Sequence, residues 1–557
     1  LLSNHYRTKG KQLPEVRIFC ILTFLGEIII KKVSEFFQKN KEMIIKVAIM
    51  AALPFVLSLV YSLFKGGFVG RTYLPAGEWN DELFYYKQVE CILNGGYPAG
   101  FFGFNESHAQ VLSFAAWSPV LLLPWIVWGL IFGWTFMSPV YCNIFFLTLA
   151  FVVFVLVAKP DLKQTILIAA GSVSFTHFAR QMMSAMPEIT CFSLVIMFYA
   201  FAYSYTKKPT KCALVFMFIF ASLLTLMRPY LLLLLVLVIY FCIREYKWKG
   251  ALISAGVLVV TLGLYWAIKK YFGAEYFADL FFTDWVKAYF DQGLFGGIKY
   301  TLSKLHYMGA DMLKHMILGL SEGLCSGAIF ICYVAMIVIT LVQTLVDRII
   351  YKKDPEKAEN FKKDMTIELH FGLSLIAMLI ALLLMYKLTE GSKHLLTFIV
   401  AGIIIFGMRS TKYAGKTFII VAMFVFFFII KAGDPYDYKP PFENNYITGK
   451  ITEWTTVMNE KIELNPEEKP SFDNVIIWVF TDEIDGKESV AKWQYLYGTP
   501  KGMGISCCTS YYINNNIDDL KSKYIMTPVG GEIAKKISKR GAKLLYEDED
   551  CALYQLR

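Results

Sequence analysis

About eleven apolar runs, most separated from the next by a short polar or basic turn, leave this chain one main solvent, lipid. They lie near 46–64, 139–158, 164–178, 189–206, 212–227, 229–243, 250–271, 326–346, 367–387, 394–408 and 417–431. Several are short, but as a set they match the length needed to cross about 30 Å of hydrocarbon as a helix. At 56% hydrophobic and 18% charged residues, the chain holds more apolar side chain than a soluble core can hide. The formal net charge of +10 does not point to nucleic acid, because the Lys and Arg sit in short runs between apolar stretches. That is the pattern of loops held on one side of a membrane.

Those loops set the orientation. Lys159–Lys163, Lys207–Lys211, Arg244–Lys249, Arg348–Lys363 and Arg409–Lys416 share a side with the basic N-terminus, provided that a twelfth run, Trp117–Trp134, does not cross. That run carries Pro119 and Pro124, which weaken a straight helix, and it reads as a membrane-skimming or re-entrant element. The expected protein is mainly α: a polytopic transmembrane bundle of about 11 spans in a plasma (inner) membrane, with a cytoplasmic N-terminus. Residues 1–45 form a cytoplasmic or interfacial segment. The run Ile18–Ile30 carries Glu27 and has no small-residue cleavage site, as suits an interfacial helix better than a signal peptide. Residues 46–431 form the membrane domain, with a long first outer loop over 65–138.

Loop 272–325 alternates aromatics and charges and then turns helical over Leu302–Leu318, as an amphipathic juxtamembrane segment would. Pro435, Pro440 and Pro441 mark a linker. Beyond it, strands over Asn474–Phe480, Tyr524–Met526, Ala542–Tyr546 and Ala552–Leu556 and a helix over Gly531–Arg540 predict a small extracytoplasmic α/β domain within 432–557. Cys507, Cys508 and Cys551 lie there and could pair outside the cell, though adjacent cysteines make awkward partners.

Polar clusters off the basic side all fall on the other face. The first outer loop opens with Glu78-Trp79-Asn80-Asp81-Glu82 and then Tyr85-Tyr86. Adjacent carboxylates beside a span, followed by aromatics, suit a general base at a membrane surface; they suit a solvated loop equally well. Arg180-Gln-Met-Met-Ser-Ala-Met-Pro187-Glu188 stands just before a span. There Glu188 is either a second working acid or a first-turn helix acid. Arg228, in Met-Arg-Pro-Tyr, and Lys393-His394 mark the same face; they are cations for a phosphate or snorkelling anchors. Asn105-Glu106-Ser107-His108 could orient an acceptor or, with Asp81, hold a divalent metal ion.

Asp81-Glu82 with Tyr85, a downstream Gly96-Tyr97-Pro98 and a Pro-containing apolar segment resemble the first outer loop of the GT-C-fold glycosyltransferases, such as protein O-mannosyltransferases and aminoarabinose transferases. The Pro187-Glu188 segment is similar to their second outer loop. The resemblance implies a polyprenyl-phosphate-linked sugar donor, a glycan, lipid or protein acceptor, and no certain cofactor. By it, Asp81, Glu82 and Glu188 are catalytic, Arg180, Arg228, Lys393 and His394 bind the donor phosphate, and Tyr85, Tyr86, Glu106 and His108 serve the acceptor and loop. Where some relatives carry a basic residue before the Pro of the skimming segment, this chain has Trp117-Ser118-Pro119, so one phosphate contact would come from Arg180 or Lys87. Two other classes compete. A transporter or flippase would show midplane charges and an internal repeat, whereas a lipid-linked oligosaccharide ligase or polymerase would place its chemistry in a late loop such as 272–325.

Overall fold

The computed structural model describes residue 38 and residues 40–65, 81–94, 102–106, 119–272, 282–322, 325–351, 355–409, 441–464 and 472–557. The segments 1–37 and 417–431 lie outside the described residues, and with them the interfacial helix and the last expected span.

The other ten runs are helical. In chain order the first elements are α1 (Lys41–Lys65), α2 (Asp81–Asn94), strand β1 (Phe102–Phe104), a 3-10 turn (Pro119–Leu122) leading into α3 (Leu123–Phe132), α4 (Ser138–Ala158), α5 (Leu162–Ser174) and α6 (Thr176–Met182). Next come α7 (Glu188–Lys207), α8 (Lys211–Met227), a 3-10 turn (Pro229–Leu232) into α9 (Leu233–Tyr246), α10 (Trp248–Phe272), α11 (Asp284–Asp291) and α12 (Gly293–Ser321). The bundle ends with α13 (Cys325–Tyr351), α14 (Pro355–Met385) and a 3-10 turn (Ser392–Leu395) into α15 (Leu396–Met408). Among the described residues seven helices are long and apolar enough to cross a membrane, and Pro119–Phe132, Lys211–Met227 and Ser392–Met408 are shorter apolar helices. At roughly 21 Å of rise, Pro119–Phe132 is too short to span hydrocarbon. The helix expected over Leu302–Leu318 is longer than that pattern indicated, running the whole of α12.

Contacts between helix ends bring three of the basic loops together. Lys207 Nζ donates to the Ala158 carbonyl at 2.7 Å, and Gln164 Nε2 to the Met408 carbonyl at 2.6 Å. The C-termini of α4, α7 and α15 therefore share one end with the start of α5, where Asp161 makes a capping box with Gln164. Lys159, Lys207 and Arg409 lie at that basic end; Asp81, Glu188 and Arg228 lie at the other. Helix α7 runs between the two ends as the centre of the bundle. Nearly all of its side chains are buried, so it is apolar on every side instead of striped.

The second layer is a six-stranded sheet of order β1-β5-β2-β6-β8-β7, with β2 (Val475–Val479), β5 (Gly504–Cys508), β6 (Tyr524–Pro528), β7 (Lys543–Glu547) and β8 (Cys551–Gln555). A small hairpin, β3 (Asp482–Ile484) with β4 (Lys487–Ser489), stands apart from it. Strands β1, β5, β2 and β6 run parallel, β8 runs against β6, and β7, antiparallel to β8, returns to the common direction. The helix α16 (Pro441–Lys461) supplies Ile451, Trp454 and Met458 to one face; α17 (Ser510–Asn516) and α18 (Glu532–Lys539) cover the other. All five residues of β2, Val-Ile-Ile-Trp-Val, are buried, as a central strand covered on both faces requires.

This domain is not confined to 432–557. Its edge strand β1 comes from the first long loop, with Phe102 opposite Ile505 and Phe104 opposite Cys507, and Leu83, Phe84 and Tyr86 of α2 enter its core. The three cysteines are buried free thiols. Cys507 and Cys508 point to opposite faces of β5, as successive strand residues must. Cys551 shares the Cys507 face but lies three strands away, about 14 Å at the usual strand spacing, beyond disulfide reach.

Candidate active site

Four segments far apart in sequence meet at the end of the bundle away from the basic loops. Asp81 and Glu82 open α2, where negative charge complements the helix N-terminus. Glu188 opens α7 directly after Pro187 for the same reason. Arg228 precedes Pro229, and a residue before proline is held extended; its backbone is at φ −142°, ψ 106°. That break ends α8 and leaves the cation at the helix C-terminus, where the dipole favours it. Lys393 and His394 stand on the 3-10 turn before α15.

These side chains form two ion pairs of different character. Arg228 Nη2 lies 2.6 Å from Glu188 Oε1, with the two side chains only 2% and 6% exposed. Lys393 Nζ lies 3.2 Å from Asp81 Oδ2, with exposures of 28% and 42%. The first pair is fixed, since removing one partner would strand a buried charge at a cost of about 3–5 kcal/mol. The second is exchangeable: a partly exposed pair contributes about 0–1 kcal/mol. An incoming phosphate can therefore draw on Lys393 without dismantling the bundle.

Tyr85, one turn after Asp81, joins the buried pair. The Arg228 guanidinium hydrogen-bonds its hydroxyl, while burial, Asp81 and Glu188 hold that hydroxyl well above the usual tyrosine range in spite of Arg228. Tyr85 is thus a proton-bearing group and not a base. Burial opposes the Arg228 charge, and Glu188 together with Tyr230, Tyr85 and Cys191 more than offsets it, leaving the guanidinium above its ordinary range. Glu188 Oε2 has no hydrogen-bond partner among the described residues. An aromatic wall that the sequence did not single out completes the site: Tyr230 Oη is 3.2 Å from His394 Nδ1, and the Tyr386 ring meets the His394 ring edge-on at 4.7 Å.

Glu82 is buried below the surface, and one of its carboxylate oxygens accepts from the Ala185 N–H at 2.9 Å. That bond ties α2 to the loop before Glu188. The same loop is braced by Asn143 Nδ2, which donates to the Met182 and Ser184 carbonyls at 3.3 and 3.1 Å, and Asn143 Oδ1 in turn accepts from Trp125 Nε1 of α3 at 3.0 Å. Glu82 accordingly braces the site from beneath while Asp81 faces its opening. Arg180 is buried on α6, near His177.

Three expected site residues have other partners. Tyr86 faces away from Tyr85 and packs on Trp134, Phe136 and Tyr497 at 5.3, 5.8 and 4.9 Å. Lys87 is fully buried, pairs with Glu90 at 2.7 Å and donates to the Thr499 carbonyl at 3.0 Å, so it is no phosphate ligand. Glu106 lies in the sheet domain, where its carboxylate accepts from the Ser522 N–H at 2.7 Å, the Lys521 N–H at 3.1 Å and the Tyr512 hydroxyl at 3.3 Å. Helical and turn geometry decide all three, since neighbours in sequence need not share a face. His108 lies outside the described residues.

Among the described residues no group of three or more His, Cys, Asp or Glu side chains could hold a metal ion, and Asp81 and Glu188 each face a cation of the protein instead of one another.

No protein-family model matches the sequence, and no curated protein matches it. Solved structures do. The oligosaccharyltransferase of Archaeoglobus fulgidus, tethered to an acceptor peptide, matches over 89% of this chain and 70% of its own at 12% identity and a TM-score of 0.46. ArnT of Cupriavidus metallidurans bound to undecaprenyl phosphate matches over 93% of this chain and 98% of its own at 9% identity and a TM-score of 0.41. The apo form of that ArnT gives the same coverage, 8% and 0.42. This chain itself joins a helical membrane bundle to a small sheet domain. At this identity the likeness bears on no individual residue.

Proposed function

We propose that this chain transfers a sugar from a polyprenyl-phosphate-linked donor to an acceptor hydroxyl or amine at the outer face of a plasma membrane. The observation that supports this reading best is the meeting of an exposed, exchangeable Asp81–Lys393 pair with a fixed, buried Glu188–Arg228 pair at one end of the bundle. The basic loops at the other end support a cytoplasmic placement for that end.

In the proposed reaction the donor phosphate displaces the Asp81 carboxylate from Lys393. Asp81 then takes the proton of the acceptor, whose oxygen or nitrogen attacks the sugar C1. The C1–O bond to phosphate breaks, and its electron pair leaves on polyprenyl phosphate, whose charge grows as it departs. Lys393 meets that charge directly, and Arg228 provides a positive field that needs no rearrangement during the reaction. Single displacement inverts the anomeric centre. Glu188 and the Tyr85 hydroxyl, buried beside Arg228, hold that guanidinium in place, and the Tyr230, Tyr386 and His394 rings back the site.

The test is release of undecaprenyl phosphate from a panel of undecaprenyl-phosphate-linked hexoses and pentoses, with the glycan, lipid and protein fractions of a bacterial envelope as acceptors. Release that depends on an acceptor supports the reading; no release from any donor sinks it. In that assay Lys393→Gln is expected to raise donor KM about tenfold, one charge-assisted hydrogen bond being worth about 1.5–3 kcal/mol, with a smaller loss in kcat. An unchanged KM would remove Lys393 from the phosphate.

A further inference from the structure

Two buried charges outside the site lie in the first long loop, and both point into the sheet domain. Lys87 of α2 is inaccessible to solvent and binds the Thr499 carbonyl, 412 residues away. Glu106 is 4% exposed and accepts two backbone N–H groups and a tyrosine hydroxyl, while its own N–H donates to Ser506 Oγ at 2.9 Å. Asn105 and Glu106 both take positive φ, 50° and 54°, an uncommon backbone for non-glycine residues. It is held here by the Asn105 N–H on the Cys507 carbonyl and the Thr509 N–H on Asn105 Oδ1.

Helix α2 therefore has two allegiances. Asp81, Tyr85 and Val89 face the bundle, whereas Phe84, Tyr86 and Lys87 meet Trp478, Tyr497 and Thr499 of the sheet domain. The other half of the site, Glu188, Arg228 and Lys393, is carried by the bundle alone. We infer that the sheet domain is the jig that sets Asp81 against the donor half of the site, with Glu106 and Lys87 as positioning residues that touch no substrate. This rests on Asp81 being the working carboxylate. A displacement of about 1 Å at a reacting group costs on the order of a hundredfold in rate, so anchors this far from the chemistry control kcat.

The experiment uses the full chain in detergent and the undecaprenyl-phosphate-sugar assay. Glu106→Gln removes the anion that gathers the Lys521 and Ser522 amides; kcat is expected to fall about tenfold or more, with donor KM within about twofold, as for a loss of orientation and not of binding. Rescue separates positioning from chemistry. Phe104 stands opposite Cys507 in the parallel register, so Phe104→Cys places a thiol where oxidation can join β1 to β5 covalently. Oxidised Phe104→Cys/Glu106→Gln is expected to regain most of the lost kcat and to lose it again on reduction. Lys87→Met should show the same split between kcat and KM.

A crosslinked double variant as slow as Glu106→Gln would overturn the inference, as would a wild-type rate in Glu106→Gln or failure of the disulfide to form. Arg540→Ala breaks the exposed ion pair with Asp518 in the same domain and is expected to leave kcat unchanged. An equal loss there would mean general weakening of the domain and would also overturn it. Asp81→Asn, run alongside, distinguishes the two ways of failing: full activity there removes the proposed base, whereas an inactive Asp81→Asn with a wild-type Glu106→Gln removes only the jig.

Discussion

Replacing Asp81 by Asn is expected to cut release of undecaprenyl phosphate by about 10²–10⁴-fold, the usual contribution of a positioned general base, while leaving the donor bound at least as tightly. The second half of that expectation makes it specific. Asp81 Oδ2 is 3.2 Å from Lys393 Nζ and so competes with the phosphate for the same ammonium; an amide competes less. The dissociation constant of undecaprenyl phosphate, measured by titration in detergent, should stay level or fall as turnover collapses. An Asn variant with wild-type turnover would exclude Asp81 as the base. One that lost donor affinity and turnover together would make Asp81 a structural partner of Lys393 and nothing more.

The second large effect belongs to the buried pair. Arg228→Met leaves the Glu188 carboxylate uncompensated in the bundle and Glu188→Gln leaves the guanidinium so, each expected to destabilise by about 3–5 kcal/mol. Thermal unfolding in detergent would read this as a clear drop in midpoint for either single variant. Glu188→Gln/Arg228→Met removes both charges and should recover most of the stability, since neighbouring groups are not additive. Activity should not recover. Loss of a fixed cation at a departing phosphate is expected to hold kcat down by about 10²–10³. If the double variant turned over at the wild-type rate, the pair would be a staple of the bundle and the cation in the reaction would be Lys393 alone.

Sequence carried the membrane architecture and the convergence of Asp81, Glu188, Arg228 and Lys393, because charge asymmetry between loops fixes which helix ends share a side, and acids or cations at helix ends announce themselves beside Pro187 and Pro229. It could not rank those residues. That Glu188–Arg228 is sealed and Asp81–Lys393 open depends on how α7 is surrounded, which no local pattern records. The neighbours Tyr85 and Tyr86 read as one motif, yet a single step of a helix turns them to opposite faces, one to the site and one to Tyr497. Glu106 resembled a ligand for the reason that makes it an anchor: a loop carboxylate is useful wherever unpaired N–H groups gather.

Strand β5 was missed because Gly504-Ile-Ser-Cys-Cys reads as a cysteine question before it reads as a central strand. The tie between Glu368 of α14 and Arg409 at the end of α15, both buried, was likewise invisible, since 41 residues separate them and each alone looks like a loop charge. Tyr230 and Tyr386 carried no signal in the sequence; the 3-10 turn before α15 brings His394 between them.

Strand β1 pairs with residues made some 400 positions later; the Glu106 N–H reaches Ser506 across that interval. At about 5–20 residues per second of synthesis, the first loop waits on the order of 20–80 seconds for the strand beside which it lies. During that time Leu83, Phe84 and Tyr86 have no core to enter, and α2 is held from the bundle side alone, by Glu82 on the Ala185 N–H and by the packing of Tyr85 and Val89. On the proposed reading the bundle can insert and its donor half can close around Arg228 before α2 gains that second support, so a nascent chain would hold a lipid phosphate before it could use it. Competence would then arrive with the sheet strands, and a chain truncated before Gly504 is expected to show no release in the undecaprenyl-phosphate-sugar assay.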